Sequence, residues 1–286
     1  MTNPTISLTQ FFRLSRLNKP IGIFLLLWPT VIALWIAGNG HPDPKIVFIF
    51  VMGVIVMRSA GCVINDLADQ SFDGKVERTK TRPLVTGLVS AKQAFILLSL
   101  LLLIAFSLVL QLNVFTLKLS FIALFLATLY PFMKRYTHFP QVILGAAFGF
   151  AIPMAFAAQL NTIPSLAWLL YLATVFWVIA FDTQYAMVDR KDDIMIGVKS
   201  TAIFCGNYDR WAIPIMQIIA LILFAGVGFA AGLTHYFYLA ILIALGFVFY
   251  QWRLIFKREP EQCFRAFLNN NALGACLFLG VLLDYY

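Results

Sequence analysis

The chain has 286 residues, of which 61% are hydrophobic and only 12% charged, whereas a soluble domain carries charge on about a quarter of its residues. Apolar runs of about 20 residues recur from end to end, each long enough to cross a bilayer as a helix, so a soluble globule is excluded. The net charge of +8 raises nucleic acid as a partner, but the placement of those charges, given below, argues against it.

A membrane-spanning chain satisfies its backbone either in helices or in a closed barrel. Barrel strands alternate apolar and polar residues, whereas 94–112 and 236–248 are apolar all round. The expected fold is therefore an all-α polytopic bundle of nine spans, near 20–38, 46–65, 93–112, 114–132, 141–159, 164–182, 212–232, 235–252 and 268–284. With no linker long enough to separate independent units, residues 1–286 are expected to form a single domain. Nine spans put 19 of the 21 Lys and Arg residues on the N-terminal side, leaving only Lys45 and Lys118 opposite. The positive-inside rule makes that side cytoplasmic. The polar N-terminus and the lack of a small-residue cleavage site speak against a signal peptide. Cys62, Cys205, Cys263 and Cys276 show no CxxC spacing and are expected reduced, and His41, His138 and His235 form no zinc-type pair. Pro20, Pro29, Pro131 and Pro153 fall in or near spans, where each is expected to kink a helix.

Two cytoplasmic connections, near 66–92 and 183–211, are long and carry charge of both signs. Each follows a span that ends in acids, and the four-helix offset between them hints at an internal repeat. After the second span comes Asn65-Asp66-Leu67-Ala68-Asp69-Gln70-Ser71-Phe72-Asp73. If the helix continues, Asn65, Asp69 and Asp73 share about 80° of its surface, while Asp66 lies about 100° from Asn65 and leaves the stripe. After the sixth span, Asp182, Asp189 and Asp193 fall within about 40°, with Asp192 about 80° from Asp182. Carboxylates and an amide oxygen are hard ligands that suit Mg²⁺, which takes one or two carboxylates plus substrate phosphates. Ionisable residues at a membrane edge are costly and mark a site.

The basic residues complete the pattern. Lys75, Arg78 and Arg82 follow the first stripe, Lys134 and Arg135 close the fourth span, Lys199 follows the second stripe, and Arg58 lies inside a span. Acids and guanidinium groups at one membrane face suit a metal-bridged diphosphate. The diphosphate-binding candidates are Arg58, Lys75, Arg78, Arg82, Lys134 and Lys199. Some of the 28 Phe and 10 Tyr are expected to line an isoprenoid channel and shield an allylic cation.

These residues resemble the UbiA-type intramembrane aromatic prenyltransferases, and within them the 4-hydroxybenzoate branch of ubiquinone synthesis. The resemblance runs nearly end to end. It is carried by Arg16-Leu-Asn-Lys19-Pro20-Ile-Gly22, by the motif at 65–73 with Arg78-Thr-Lys-Thr-Arg82-Pro83-Leu84, and by Tyr130-Pro-Phe-Met-Lys134-Arg135. Asp182-Thr-Gln-Tyr185-Ala-Met-Val-Asp189-Arg-Lys-Asp192-Asp193, Ile196–Ala202 and Asn269-Asn-Asn271 complete it. The resemblance implies a nine-helix bundle around a cytoplasm-facing cavity in the bacterial inner membrane, with Mg²⁺ as cofactor. It implies that Asn65, Asp69 and Asp73 hold one Mg²⁺ and Asp189 and Asp193 the other, with Asp182 supporting the second stripe or taking a proton. The implied substrates are a polyprenyl diphosphate and 4-hydroxybenzoate, and no protein partner is implied. Arg135 and Arg16 are candidates for the acceptor carboxylate, with Tyr130 beside it. A naphthoate acceptor is the nearest alternative, and a cation transporter the alternative from another class. A transporter site belongs near mid-membrane, whereas these acids cluster at one mouth.

Overall fold

The computed structural model describes residues 8–286, apart from the side chains of Leu8, Ser71 and Phe72. In chain order its helices are α1 (Leu8–Leu14), α2 (Ile21–Ala37), α3 (Pro44–Asp73), α4 (Ala91–Val109), α5 (Val114–Tyr136) and α6 (Pro140–Gly149). They continue as α7 (Ala151–Leu160), α8 (Ser165–Ile196), α9 (Thr201–Cys205), α10 (Asp209–Ala231), α11 (His235–Ile255) and α12 (Pro260–Tyr285). No strand occurs among the described residues.

The expected all-α class holds, but the count of nine needs correcting. By length and composition eight helical segments can cross a membrane. The expected first span is the shorter α2, of 17 residues, confined between Pro20 and Gly38. The ends of the other helices follow from local chemistry. Ser90 and Gln93 form a reciprocal capping box at the start of α4, satisfying two otherwise orphaned N–H groups. The Asn113 side chain accepts from the Thr116 N–H at 2.8 Å to start α5. Gly197 at φ 74° ends α8 and Gly232 at φ 70° ends α10, a left-handed conformation that glycine adopts without penalty. Pro153 has no N–H for the Gly149 carbonyl, and the seam between α6 and α7 falls there.

Two kinds of surface pack the bundle. Trp177, Phe156, Phe181, Phe224 and Phe237 are almost fully buried in the main core. By contrast only Ala94 and Val109 of α4 are buried, and Leu100 and Leu103 stand exposed, which fits lipid contact. Between α8, α10, α11 and α12 runs a chain of buried amides. Asn270 donates to Gln184 at 2.8 Å, Gln184 and Gln217 donate to Gln251 at 2.9 and 2.6 Å, and Trp177 donates to Asn270 at 2.9 Å. Such bonds join helices where lipid offers no hydrophobic drive, and here they fix the rotation of α8.

The two acid-rich connections begin as helix. α3 runs on to Asp73 and α8 to Ile196, so both acid motifs are helical, as their projections require. The loop after α3 is packed: Leu84 and Val89 bury against Leu14, Val63 and Ala94.

Candidate active site

A polar cavity of about 390 Å³ lies where the charged ends of α3, α5 and α8 meet the turn before α2 and the loops at 76–83 and 198–200. The helical phase explains the convergence. Asn65, Asp69 and Asp73 from α3 line it together with Asp182, Asp189 and Asp193 from α8. Arg16, Arg58, Arg78, Arg82, Tyr130, Lys134 and Lys199 line it as well.

Inside the cavity four of the acids, Asp66, Asp69, Asp73 and Asp189, are held by bases. Arg78 forks onto Asp189, with Nη2 at 2.5 Å from Oδ2 and Nε at 2.9 Å from Oδ1. The same guanidinium lies 4.6 Å from the Tyr185 ring centroid. Arg82 ion-pairs with Asp73 and also reaches Asp66 at 3.0 Å, while Lys134 ion-pairs with Asp69. Arg16 donates to Asp66 at 2.7 Å. Burial pushes the Asp73 carboxyl above its usual range; Arg82 opposes this, and the like charges of Asp69 and Asp66 reinforce it. Burial, the largest single influence, would lower the affinity of Arg16 for its proton, but Asp66, Cys62 and Tyr185 together outweigh it and the net shift is upward.

Arg58 is different. It has no carboxylate partner among the described residues. Its Nη1 donates to Cys62 Sγ at 3.1 Å, and its buried Nε has no partner. A Cβ on Gly22 would fall 2.3 Å from that Nε, so glycine is what lets the guanidinium lie against α2. Arg58, Asn65, Tyr130, Leu144 and Phe148 also line a second, apolar cavity of about 250 Å³ that extends among α3, α4, α5, α6 and α7. The polar chamber therefore continues into an apolar one past Arg58 and Tyr130.

The fit to a divalent cation can be judged from the donor set. Among the described residues no three acids converge into a ready-made metal cage. Mg²⁺ needs only one or two carboxylates, with water and phosphate completing its shell. Asp69 Oδ1 is buried without a hydrogen-bond partner, an acceptor that a cation would satisfy. The residues fit the ion.

Two expected site residues lie elsewhere. Lys75 is exposed and outside the cavity lining, because it follows Gly74 on the outer side of the turn after α3. Arg135, expected at the acceptor carboxylate, is likewise absent from the lining. One residue beyond Lys134 turns it about 100° around α5, and there it donates to the Ala68 carbonyl and lies 5.7 Å from the Phe132 ring. Sequence reasoning also missed two cavity residues. Asp66 is off the stripe by phase, yet it is 2% exposed and bound by two arginines. Gln141 lines the chamber from the first turn of α6; its one signal was an amide opening an apolar span.

Comparison with known proteins shows what the chain as a whole is similar to. The model of the UbiA prenyltransferase family matches residues 26–278. A 4-hydroxybenzoate octaprenyltransferase from Nitrosococcus oceani is 58% identical over 275 residues, covering 96% of each chain. One from Escherichia fergusonii is 54% identical over 285 residues, 98% of each chain. Among solved structures, a UbiA homologue from Aeropyrum pernix superposes with a TM-score of 0.80 at 26% identity, over 93% of this chain and 98% of that one. A UbiA homologue from Archaeoglobus fulgidus bound to GPP and Mg²⁺ shares the fold, with a TM-score of 0.72 at 19% identity over 96% of this chain and 99% of that one.

Proposed function

The chain belongs to the UbiA prenyltransferase family, and from that premise we propose how its own residues carry out the reaction. It is a multi-pass membrane prenyltransferase that moves a polyprenyl group from polyprenyl diphosphate to 4-hydroxybenzoate, giving 3-polyprenyl-4-hydroxybenzoate and diphosphate. The observation that carries this reading is the continuity of the two cavities: acids and bases fill one, apolar side chains the other, and Arg58 and Tyr130 stand between.

Asn65, Asp69 and Asp73 on one side, and Asp189 and Asp193 on the other, would hold Mg²⁺. The bound ion supplies Lewis-acid neutralisation of the leaving diphosphate. Arg78, Arg82, Lys134 and Lys199 provide the cationic wall for phosphate oxygens, which forked guanidinium groups grip in pairs. The apolar cavity takes the start of the isoprenoid tail. Tyr130, at the junction, presents its ring to the allylic carbon as the C1–O bond breaks and the electron pair leaves with diphosphate. The ring carbon ortho to the phenol hydroxyl then bonds to C1, and Asp182 takes the ring proton as aromaticity returns. Arg16 and Arg58 are the cavity's candidates for the acceptor carboxylate; Arg58 is the better placed, because its Nε is buried and unpartnered. Exclusion of water protects the cation. The whole chain acts as one unit in the bacterial inner membrane with the chamber facing the cytoplasm, an orientation supported by the basic residues gathered around the chamber.

The test is a donor and acceptor panel with the detergent-solubilised protein, in which no ion gradient exists. The expected product is prenylated 4-hydroxybenzoate in Mg²⁺ and none in EDTA. Preference for a naphthoate acceptor would overturn the substrate assignment, and equal rates in both arms would overturn the metal.

A further inference from the structure

Asp209 opens α10 and is fully buried, at 0% exposure, yet neither it nor its partners Arg190 and Arg258 line the chamber. A buried carboxylate without compensation is costly, and here two arginines converge on it. Arg190 Nη1 donates to Oδ2 at 2.8 Å. Arg258 reaches Oδ1 with Nε at 2.8 Å and with Nη2 at 2.7 Å. The same guanidinium groups also serve the backbone before α10: Arg190 donates to the Gly206 carbonyl at 3.1 Å and Arg258 to that of Asn207 at 2.6 Å. Arg258 does so from φ 58°, in the left-handed region that residues with a Cβ seldom occupy.

The cluster joins three parts of the chain: Arg190 from the last two turns of α8, Asp209 from the start of α10, and Arg258 from the turn between α11 and α12. Met187, Ile213, Ile255 and Cys263, buried side chains of the same four helices, pack together as a small core of their own. Arg190 follows Asp189 directly and precedes Asp193 by three residues. Its side chain therefore leaves α8 about 100° from the first and about 60° from the second. The two acids line the chamber, while Arg190 ties the adjoining flank of the helix end to Asp209. Apart from Arg78 on Asp189, no other ion pair among the described residues holds α8.

We infer that Asp209 is a positioning residue: through Arg190 it fixes the seating of the α8 end, and so the aim of Asp189 and Asp193 at the metal. This rests on the functional reading above. Direct hydrogen-bond partners of metal ligands govern affinity by about 10- to 100-fold. Asp209 acts through the helix, one step further back, which puts its expected effect at the lower end of that range.

The experiment compares full-length wild type, Asp209→Asn, Arg190→Gln, Arg190→Lys, the Asp209→Asn/Arg190→Gln double variant and Asp284→Ala. Equilibrium Mn²⁺ binding is measured for each in detergent, from the paramagnetic resonance of the free ion, beside Tm and steady-state kinetics. Asp284 is the control: it accepts the N–H groups of Thr234, Tyr236 and Phe237 at 2.7, 3.1 and 3.1 Å, so its loss lowers Tm at the other end of α11 and α12. The expected result is an Mn²⁺ dissociation constant raised roughly tenfold in Asp209→Asn and in Arg190→Gln, with KM for 4-hydroxybenzoate within about twofold. Arg190→Lys, which keeps a charge for Asp209, should recover part of the loss. The double variant should bind no more weakly than the weaker single, as for residues that act through one contact. Wild-type Mn²⁺ affinity in Arg190→Gln, losses that multiply in the double variant, or the same loss in Asp284→Ala would overturn the assignment. Arg190→Gln leaves Arg258 on Asp209, so it decides the matter if Asp209→Asn fails to fold. A wild type that binds no Mn²⁺ would instead overturn the metal reading, before any variant is compared.

Discussion

The two acid stripes face the same chamber and are held in different ways. On α3, Asp66, Asp69 and Asp73 are nearly buried, and each ion-pairs with Arg16, Arg82 or Lys134. On α8, only Asp189 has such a partner, Arg78; Asp182 and Asp193 have no base at ion-pair distance among the described residues. Buried carboxylates without compensation are costly. The α3 wall is neutralised from within the protein, whereas the α8 wall presents two carboxyl groups without a base to the cavity. That asymmetry gives an incoming cation and its phosphate a direction: the ion gains most from α8, and the phosphate meets its bases along α3.

The largest effect should come from removing one ligand charge from either wall. Asp69→Asn and Asp189→Asn should each lower turnover on the order of 10²- to 10³-fold or more, with the protein still inserted and folded. Steady-state rates across an Mg²⁺ titration check this. Loss confined to Asp189→Asn would break the two-walled site and leave α8 as the metal's sole holder.

Stability should divide the walls in the opposite sense. Arg82 serves Asp66 and Asp73 with a side chain only 15% exposed. Arg82→Ala should therefore lower Tm strongly, since breaking a buried pair costs about 3–5 kcal/mol. The Arg78 side chain is 31% exposed, and its removal should cost roughly 1 kcal/mol or less after solvent screening. Equal Tm shifts in the two variants would mean that the α3 wall is no more self-neutralised than α8.

A finer cut runs within α8. Asp193 lines the chamber, whereas Asp192 accepts from the Glu77 N–H at 3.0 Å across the loop. Asp193→Ala should cost roughly tenfold or more in turnover, and Asp192→Ala only severalfold, about the worth of one hydrogen bond. The reverse order would reject the stripe.

The phase of these stripes was legible in the sequence because a helix repeats at about 100° per residue, and that angle sorts Asp193 from Asp192 with no tertiary knowledge. The apolar spans were legible from the length of their apolar runs, α2 included, although α2 is shorter than the other spanning helices. What one helix cannot reveal is which partner crosses to it. Asp66 leaves its stripe by phase, yet Arg16 from the turn before α2 and Arg82 from the loop after α3 both reach it. The seating of Arg58 likewise depends on Gly22, distant in sequence. Lys134 and Arg135 are adjacent and chemically alike, and only the seating of α5 against α3 decides that Lys134 enters the chamber.

Arg135 gives the smallest expected effect, and it separates a substrate contact from support of the α3 wall. A guanidinium is well suited to fork onto a benzoate carboxylate, which is why the residue attracts that role. Here it donates instead to the carbonyl of Ala68, between Asp66 and Asp69, so it braces the turn of α3 that carries the acids. Removing a brace at the protein surface should cost about 0.5–1.5 kcal/mol, the net worth of an ordinary hydrogen bond. The change should appear in the metal: the Mg²⁺ concentration for half-maximal rate in Arg135→Ala should rise roughly two- to tenfold, with KM for 4-hydroxybenzoate nearly constant. Arg58→Lys, which keeps the charge but loses the fork beside Gly22, should show the converse, a raised acceptor KM at an unchanged Mg²⁺ requirement. If Arg135→Ala raises only the acceptor KM, the acceptor carboxylate belongs to α5 and the α3 wall stands without that brace.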